Sequence, residues 1–300
     1  MNSSPLISFC ILTYNQSLYI EDALKGAINQ TYEHLEIIVS DDGSKDDTYD
    51  KICRFFRDYK GPHRIILNKN ETNLGIREHY NKVVYDIARG DIIIIAAGDD
   101  VSLPNRASYS VEFFRRHPEV QSLHFRSLQV NSVLEPLDTN RTMCKGMYTT
   151  MTLDDYVQSG SEFWLFSGDS RALRRNVVEK FPRLEICKNE DLPTFIRSIM
   201  LGPTAMIREP YVLRRIDGNN TSLILRFNQE GKNLSKQLYN DVAYALSNHY
   251  VTKEAAIELY KKIDNVIVDM KFIDVRRIFP PIIYLYKAFV ILPRMFAKLF

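Results

Sequence analysis

Residues Asp91 to Asp100 read Asp-Ile-Ile-Ile-Ile-Ala-Ala-Gly-Asp-Asp, and this stretch restricts the fold more tightly than any other. Four branched apolar residues in a row, Ile92 to Ile95, are too few for an ordinary helix and too uniform for a strand with one wet face. They predict a central parallel strand buried on both sides. The run stops on small residues and two carboxylates. In α/β sheets the carboxyl ends of the strands open onto the crevice where ligands bind, so Asp99 and Asp100 are expected at such an edge. A plain loop, with Asp100 or Ser102 capping the helix that begins near Pro104, accounts for the same residues. Taken alone, the stretch leaves both readings standing.

The chain before it repeats one unit. Leu6 to Leu12 is a strand candidate ending at Thr13-Tyr14-Asn15, and Ile20, Leu24, Ala27 and Ile28 follow at one-face helical spacing. Glu36 to Ser40 predicts a second strand running into Asp41-Asp42-Gly43-Ser44, after which Asp46 or Asp47 can cap a helix striped by Ile52, Phe55, Phe56 and Tyr59. Gly61-Pro62 breaks that helix, Arg64 to Leu67 is a third strand, and Tyr80, Val83, Val84 and Ile87 mark a third helix beyond Asn73-Leu74-Gly75. Strands alternating with helices in this way predict a parallel sheet with right-handed crossovers.

The second half is less regular. Pro104 to His117 predicts a helix and Gln121 to Val130 a strand, with antiparallel pairing one of its options. Residues 132 to 150 read as a polar loop, and Leu153 to Ser159 as a short helix. Trp164 lies between Phe163 and Phe166, just before Ser167-Gly168. Glu190-Asp191 opens a helix through Met200 that Gly202-Pro203 ends, and Ala205 to Arg215 predicts a final strand. The Asn/Gly-rich stretch Asp217 to Ser222 marks a boundary, dividing the chain into 1–220 and a helical extension over 221–300. Val275 to Phe300 carries Arg276, Arg277, Lys287, Arg294 and Lys298 among Ile282, Leu285, Tyr286, Phe289 and Phe296. A spanning helix needs roughly 20 apolar residues in a row. Pro280, Pro281, Lys287 and Pro293 interrupt this segment, so it suits a membrane surface; a helix packed on the catalytic domain is the alternative.

At 300 residues and 45% hydrophobic content the chain can bury a large core, and a net charge of +2 gives no general case for nucleic acid as a partner. Cys10, Cys53, Cys144 and Cys187 are far apart, without metal-ligand spacing, and read as reduced core thiols of a cytoplasmic chain. Met-Asn-Ser-Ser-Pro carries no secretory pattern. No Gly-x-Gly-x-x-Gly follows a strand, and Gly-x-x-x-x-Gly-Lys-Ser/Thr, His-Glu-x-x-His and Gly-x-Ser-x-Gly are missing, which removes dehydrogenase, P-loop, zinc-protease and serine-hydrolase readings. What remains is two acidic turns at strand ends, Asp41-Asp42 and Asp99-Asp100. Such turns would repel each other and a phosphate unless a cation lay between, and hard oxygen ligands at a sheet edge suit Mg²⁺ or Mn²⁺ bridging a diphosphate.

At this point the chain resembles an inverting glycosyltransferase of family 2, of the type that assembles bacterial polysaccharides. The resemblance rests on Pro5 to Asn15, Leu35 to Ser44, Asn73-Leu74-Gly75, and Gly98-Asp99-Asp100 with Pro104 and Arg106, in order and at matching spacing over roughly residues 5 to 215. It implies the GT-A fold: an α/β domain with a Rossmann-like, mostly parallel sheet flanked by helices, here with a C-terminal helical extension. It further implies that Thr13 and Asn15 help hold the nucleotide, that Asp41 contacts the base with Asp42 beside it, and that Asp99 binds Mg²⁺ or Mn²⁺ on the nucleotide-sugar diphosphate. Ala97 stands where the family's first aspartate is usual, and Asp100 could partly substitute for it. Asp191 matches the acidic residue that takes a proton from the acceptor hydroxyl; favouring a helix N-terminus is its plainer use. No Gln-x-x-Arg-Trp follows, unlike processive synthases, and no histidine stands near Arg214 and Arg215, either of which could face the diphosphate. The implied partners are a nucleotide-sugar donor, a glycan or lipid-linked acceptor, and the inner membrane face, where the tail would hold the protein peripherally. A non-catalytic sugar-nucleotide-binding protein of the same fold is the rival.

Overall fold

The computed structural model describes residues 4–137, 146–159, 170–216 and 227–264. Trp164 with its neighbours, Cys144, the linker from Asp217 to Ser222 and the basic tail lie outside these ranges. The first unit is β1 (Ile7–Thr13), α1 (Ile20–Ile28), β2 (Leu35–Asp41), α2 (Thr48–Phe56) and β3 (Arg64–Lys69). It is followed by α3 (Ile76–Asn81), which runs on as a π-helical stretch Lys82–Ile87, and β4 (Ile92–Ala97). The apolar stripe announced this third helix but not its wider turn, in which the Ala88 N–H reaches back five residues to the Val83 carbonyl (2.9 Å).

β4 is central, as its four isoleucines require. It pairs in parallel with β1, which pairs in parallel with β2, and β2 with β3. Successive side chains go to opposite faces. Ile92 and Ile94 pack with Ile20, Leu24 and Ile52 of α1 and α2, whereas Ile93 and Ile95 join Tyr80, Val83 and Val84 on the other side. Each isoleucine is at most 4% exposed, and burial is worth about 1.5–3 kcal/mol apiece. A charge at Ile94 would break the sheet.

On the far side of β4 the directions mix. β5 (Val101–Ser102), α4 (Arg106–Arg116), β6 (Ser122–Val130), β7 (Tyr148–Met151), α5 (Leu153–Gln158), β8 (Arg171–Arg174), α6 (Arg175–Glu179), α7 (Asp191–Leu201) and β9 (Thr204–Arg215) follow in the chain. The sheet order is β3-β2-β1-β4-β8-β6-β9-β5, with β7 also on β9. β8 is antiparallel to both β4 and β6, while β6 and β9 run parallel. Thus β6 pairs antiparallel on one side and parallel on the other. All of β7 but Met151 falls inside residues 132 to 150, read above as loop, because Tyr148 to Met151 borrows its pairing from β9.

α8 (Phe227–Ser247) and a helix over 253–264 pack on the sheet domain through α5 and α7: Leu238, Val242, Leu259 and Ile263 share a core with Tyr156 and Phe195. No described helix is long and apolar enough to cross a membrane. Cys10 and Cys187 are buried, and burial pushes the Cys187 thiol up to about 12. Cys53 is exposed, contrary to the reading of a core thiol, because it lies off the Ile52 stripe of α2.

Candidate functional site

β1, β2 and β4 end together. Thr13 pairs with Asp41 and Leu12 with Ala97 in register. Just beyond, the Asp42 N–H donates to the Thr13 carbonyl (2.9 Å) and the Gly98 N–H to the Leu12 carbonyl (3.0 Å). Both acidic turns therefore share one edge, as their positions in the sequence implied.

The chain's own donors hold much of that acidity. Asp41 is fully buried and accepts from the Ser44 backbone N–H (2.9 Å) and from the Ser44 hydroxyl. Asp42 takes Asn70 Nδ2 (2.8 Å) and Leu74 N–H (3.0 Å) on one oxygen and Gly75 N–H (3.0 Å) on the other. Both of its oxygens shape the 70–75 loop, where Gly75 sits at φ +81°. Asn15, at φ 51°, accepts from the Lys45 N–H (2.8 Å) and donates its own N–H to Ser44 Oγ (2.8 Å), locking the β1 and β2 loops together. Asp46 rather than Asp47 serves the start of α2, accepting from the Thr48 N–H (3.1 Å).

Thr13 Oγ1 and Gln16 Oε1 are buried and have no hydrogen-bond partner. A Cβ at position 98 would collide with both, so Gly98 leaves a notch lined by two oxygens. Unmet buried acceptors are rare, and a ligand hydroxyl or water donating to them would satisfy the pair. Gln16 lies outside the motif positions, and its role is visible only in three dimensions.

The Asp99-Asp100 turn is braced from behind. Asp100 Oδ1 accepts from the Arg215 N–H (2.9 Å), and the Arg215 guanidinium donates to the Asp99 carbonyl (3.3 Å) and to Asp22 Oδ2 (2.8 Å) while lying 4.4 Å over the Tyr19 ring. Arg215 is 1% exposed, so its charge is committed to α1 and this turn; Arg214 is half-buried. The N-cap position of the helix after the turn is Asn105, whose side chain makes no capping bond, rather than Asp100 or Ser102. Asp99 is half-buried at the strand end. Among the described residues no group of three or more His, Cys, Asp or Glu gathers into a self-sufficient metal cage. A dication held by one carboxylate and by substrate phosphates needs none, and Asp99 fits that mode.

Asp191 is tied to the sheet by one buried arginine, Arg171, which a second, Arg106, holds in turn by its carbonyl. Arg106 and Arg171 are both fully buried. In the antiparallel β4–β8 ladder Ile94 faces Ala172, which sets Arg171 beside Ile95. Arg106 Nη2 donates to both carbonyls, Ile95 (2.7 Å) and Arg171 (3.2 Å), and its Nη1 to Ser102 Oγ (2.9 Å). Arg171 Nη2 in turn donates to the Asp191 carbonyl (2.9 Å) and lies 3.6 Å from Asp191 Oδ1. Asp191 is the first residue of α7, after Glu190. Burial, then the neighbouring Asp191, raises the Glu190 carboxyl well above the usual carboxylate range against the pull of Arg171. Across β6, burial lowers the His124 imidazole well below its ordinary value, which leaves it neutral. Nothing in the pattern Arg-Ala-Leu-Arg marks Arg171 as a site residue, because a buried arginine looks like a surface one in sequence.

Comparison with known proteins follows the same outline. Residues 8–181 match the family model Glycosyl transferase family 2. An uncharacterized glycosyltransferase of Methanocaldococcus jannaschii is 31% identical over 120 residues, a span of 40% of this chain and only 40% of that relative. Among solved structures, S. aureus TarS 1-349 in complex with UDP-GlcNAc superimposes with a TM-score of 0.65 at 18% identity, covering 87% of this chain and 72% of that one. The mannosyltransferase PcManGT from Pyrobaculum calidifontis, in complex with GDP-Man and Mn²⁺, gives 0.56 at 17% identity over 89% and 70%. The structural likeness establishes the GT-A fold, and with the family model covering more than half of its residues the chain belongs to glycosyl transferase family 2.

Proposed function

We propose that this protein transfers one hexose-type sugar from a nucleotide diphosphate sugar to a hydroxyl of a glycan or lipid-linked acceptor, with inversion, in surface polysaccharide biosynthesis. The observation that supports the reading most is the link from Asp191 through Arg171 to β8, whose partner strand β4 runs on to Asp99. In the reaction the acceptor oxygen attacks the anomeric carbon from the face opposite the diphosphate. The anomeric C–O bond breaks, its electron pair leaves on the terminal phosphate oxygen, and the acceptor proton passes to Asp191. One displacement inverts the anomeric centre.

Thr13, Asn15, Asp41 and Asp42 build the nucleotide end of the site, with the Thr13 and Gln16 oxygens as acceptors for donor hydroxyls. Asp99, with Asp100 beside it, would hold Mg²⁺ or Mn²⁺ against the two phosphates, where the cation would supply neutralisation of leaving-group charge. That neighbouring folds carry UDP-GlcNAc and GDP-Man supports a donor of this class. Residues 1–220 form the transferase domain and 221–300 an extension whose basic, aromatic end associates with the inner membrane face of the cytoplasm. The test is a panel of UDP- and GDP-sugars with Mg²⁺ or Mn²⁺, read as nucleoside diphosphate release and as the anomeric configuration of the product. Release with an inverted product is expected. A retained configuration overturns the mechanism, and a donor that raises the melting temperature without release establishes the non-catalytic rival, toward which Ala97 points.

A further inference from the structure

Arg171 presents a problem in energetics. Its side chain is 0% exposed, yet Nε and Nη1 are buried without hydrogen-bond partners. A buried guanidinium with unmet donors lowers stability, and an apolar side chain of similar volume would often serve the fold as well or better. The surroundings do not offset that charge simply. Neutral His124 comes from β6, Tyr80 from α3 and Glu190 from the start of α7; burial raises the Tyr80 hydroxyl and the Glu190 carboxyl, which favours the uncharged form of each. Arg106 adds a second buried cation, bound to the Arg171 carbonyl. Asp191 is the carboxylate that Arg171 touches.

The contact is asymmetric. The Asp191 side chain is 46% exposed, but its Oδ1 is buried, without a hydrogen-bond partner, 3.6 Å from Arg171 Nη2. The exposed part is therefore the Oδ2 side. Arg171 fixes the same residue a second time through its carbonyl, at 2.9 Å. We infer that Arg171 is a positioning residue: it anchors Asp191 by its carbonyl and Oδ1, and thereby presents Oδ2 as the atom that receives the acceptor proton. This rests on the proposed role of Asp191. A carboxylate at the first position of a helix can otherwise turn about its side-chain torsions, and a misplacement of about 1 Å from a reacting atom lowers rate by roughly 10²-fold.

The experiment compares Arg171→Met, Arg171→Lys, Asp191→Asn and the Arg171→Met/Asp191→Asn double variant in the full chain. Nucleoside diphosphate release is measured with UDP-GlcNAc and GDP-Man, together with UDP and GDP binding and Tm. Arg171→Met is expected to stay folded with a modest fall in Tm, bind nucleotide as the parent does, and lose roughly 10- to 100-fold in kcat at unchanged donor KM. Lys, which keeps the charge, recovers part of that loss, and the double variant is no slower than Asp191→Asn alone. A Met variant that unfolds or loses nucleotide binding makes Arg171 a structural residue and overturns the inference. So does a Lys variant no better than Met, or a further loss in the double variant. Near-normal release by Asp191→Asn instead overturns the assignment of the base, a result separate from any Arg171 outcome.

Discussion

Arg197 and Asp241 tie α7, which begins with Asp191, to α8. Their side chains are 3% and 1% exposed, with Arg197 Nη2 2.6 Å from Asp241 Oδ1. Arg197 also donates to the Pro182 carbonyl (2.7 Å) and the Tyr85 hydroxyl (3.1 Å), and Gln237 Nε2 donates to the same Asp241 oxygen (3.0 Å). At an effective dielectric of about 20 the gross attraction is about 6 kcal/mol, most of it offset by the cost of taking both charges out of water. Removing one partner is different, since it strands the other. Arg197→Met is expected to lower stability by about 3–5 kcal/mol, and at roughly 2 °C per kcal/mol for a chain of this size Tm falls by about 6–10 °C.

The loss should depend on pH. Burial raises the Asp241 carboxyl against the pull of Arg197 and Gln237, and without Arg197 it rises further. A carboxyl whose folded pKa lies above its unfolded value contributes stability below the unfolded value, near 4, and loses it as pH rises through the folded value. The deficit of Arg197→Met is therefore smaller at pH 5 than at pH 8. Urea unfolding at the two pH values, followed by circular dichroism, measures both effects. A loss below about 1 kcal/mol, or a deficit that grows toward acid, would refute the buried-pair reasoning.

The other expectations concern function. Asp99→Asn should leave Tm near the parent value while lowering nucleoside diphosphate release by roughly 10²-fold or more, since an uncharged amide is a poorer ligand for a hard dication; full turnover in EDTA would contradict it. Deleting residues 275–300 should abolish sedimentation with phosphatidylserine vesicles and spare donor hydrolysis in solution. Unchanged sedimentation would remove the surface-anchor reading.

The half of the fold around β4 was legible because its residues obey local rules. Ile92 to Ile95 had to be buried twice, and the helical stripes at Ile20, Ile52 and Tyr80 had to face them. The turn residues after each strand then fixed where Asp41, Asp42, Asp99 and Asp100 would lie. β8 was not legible, since Arg171 and Arg174 give it the composition of a surface segment although Arg171 is fully buried. β5 has only two residues, and β7 owes its form to β9. The same limit applies to the site. Motif positions marked the carboxylates, but Gln16, Arg171 and the commitment of Arg215 to Asp22 depend on long-range contacts that leave no local pattern.

Asp191 is the center of the proposed chemistry, and Asp191→Asn tests it most directly. The amide keeps the size of the side chain and the Arg171 bond to the backbone carbonyl, yet cannot accept the proton. With the donor that turns over in the panel, kcat for nucleoside diphosphate release should fall by roughly 10²- to 10⁴-fold while UDP or GDP binding stays at the parent level. Release within a few-fold of the parent, with nucleotide binding intact, would contradict the account.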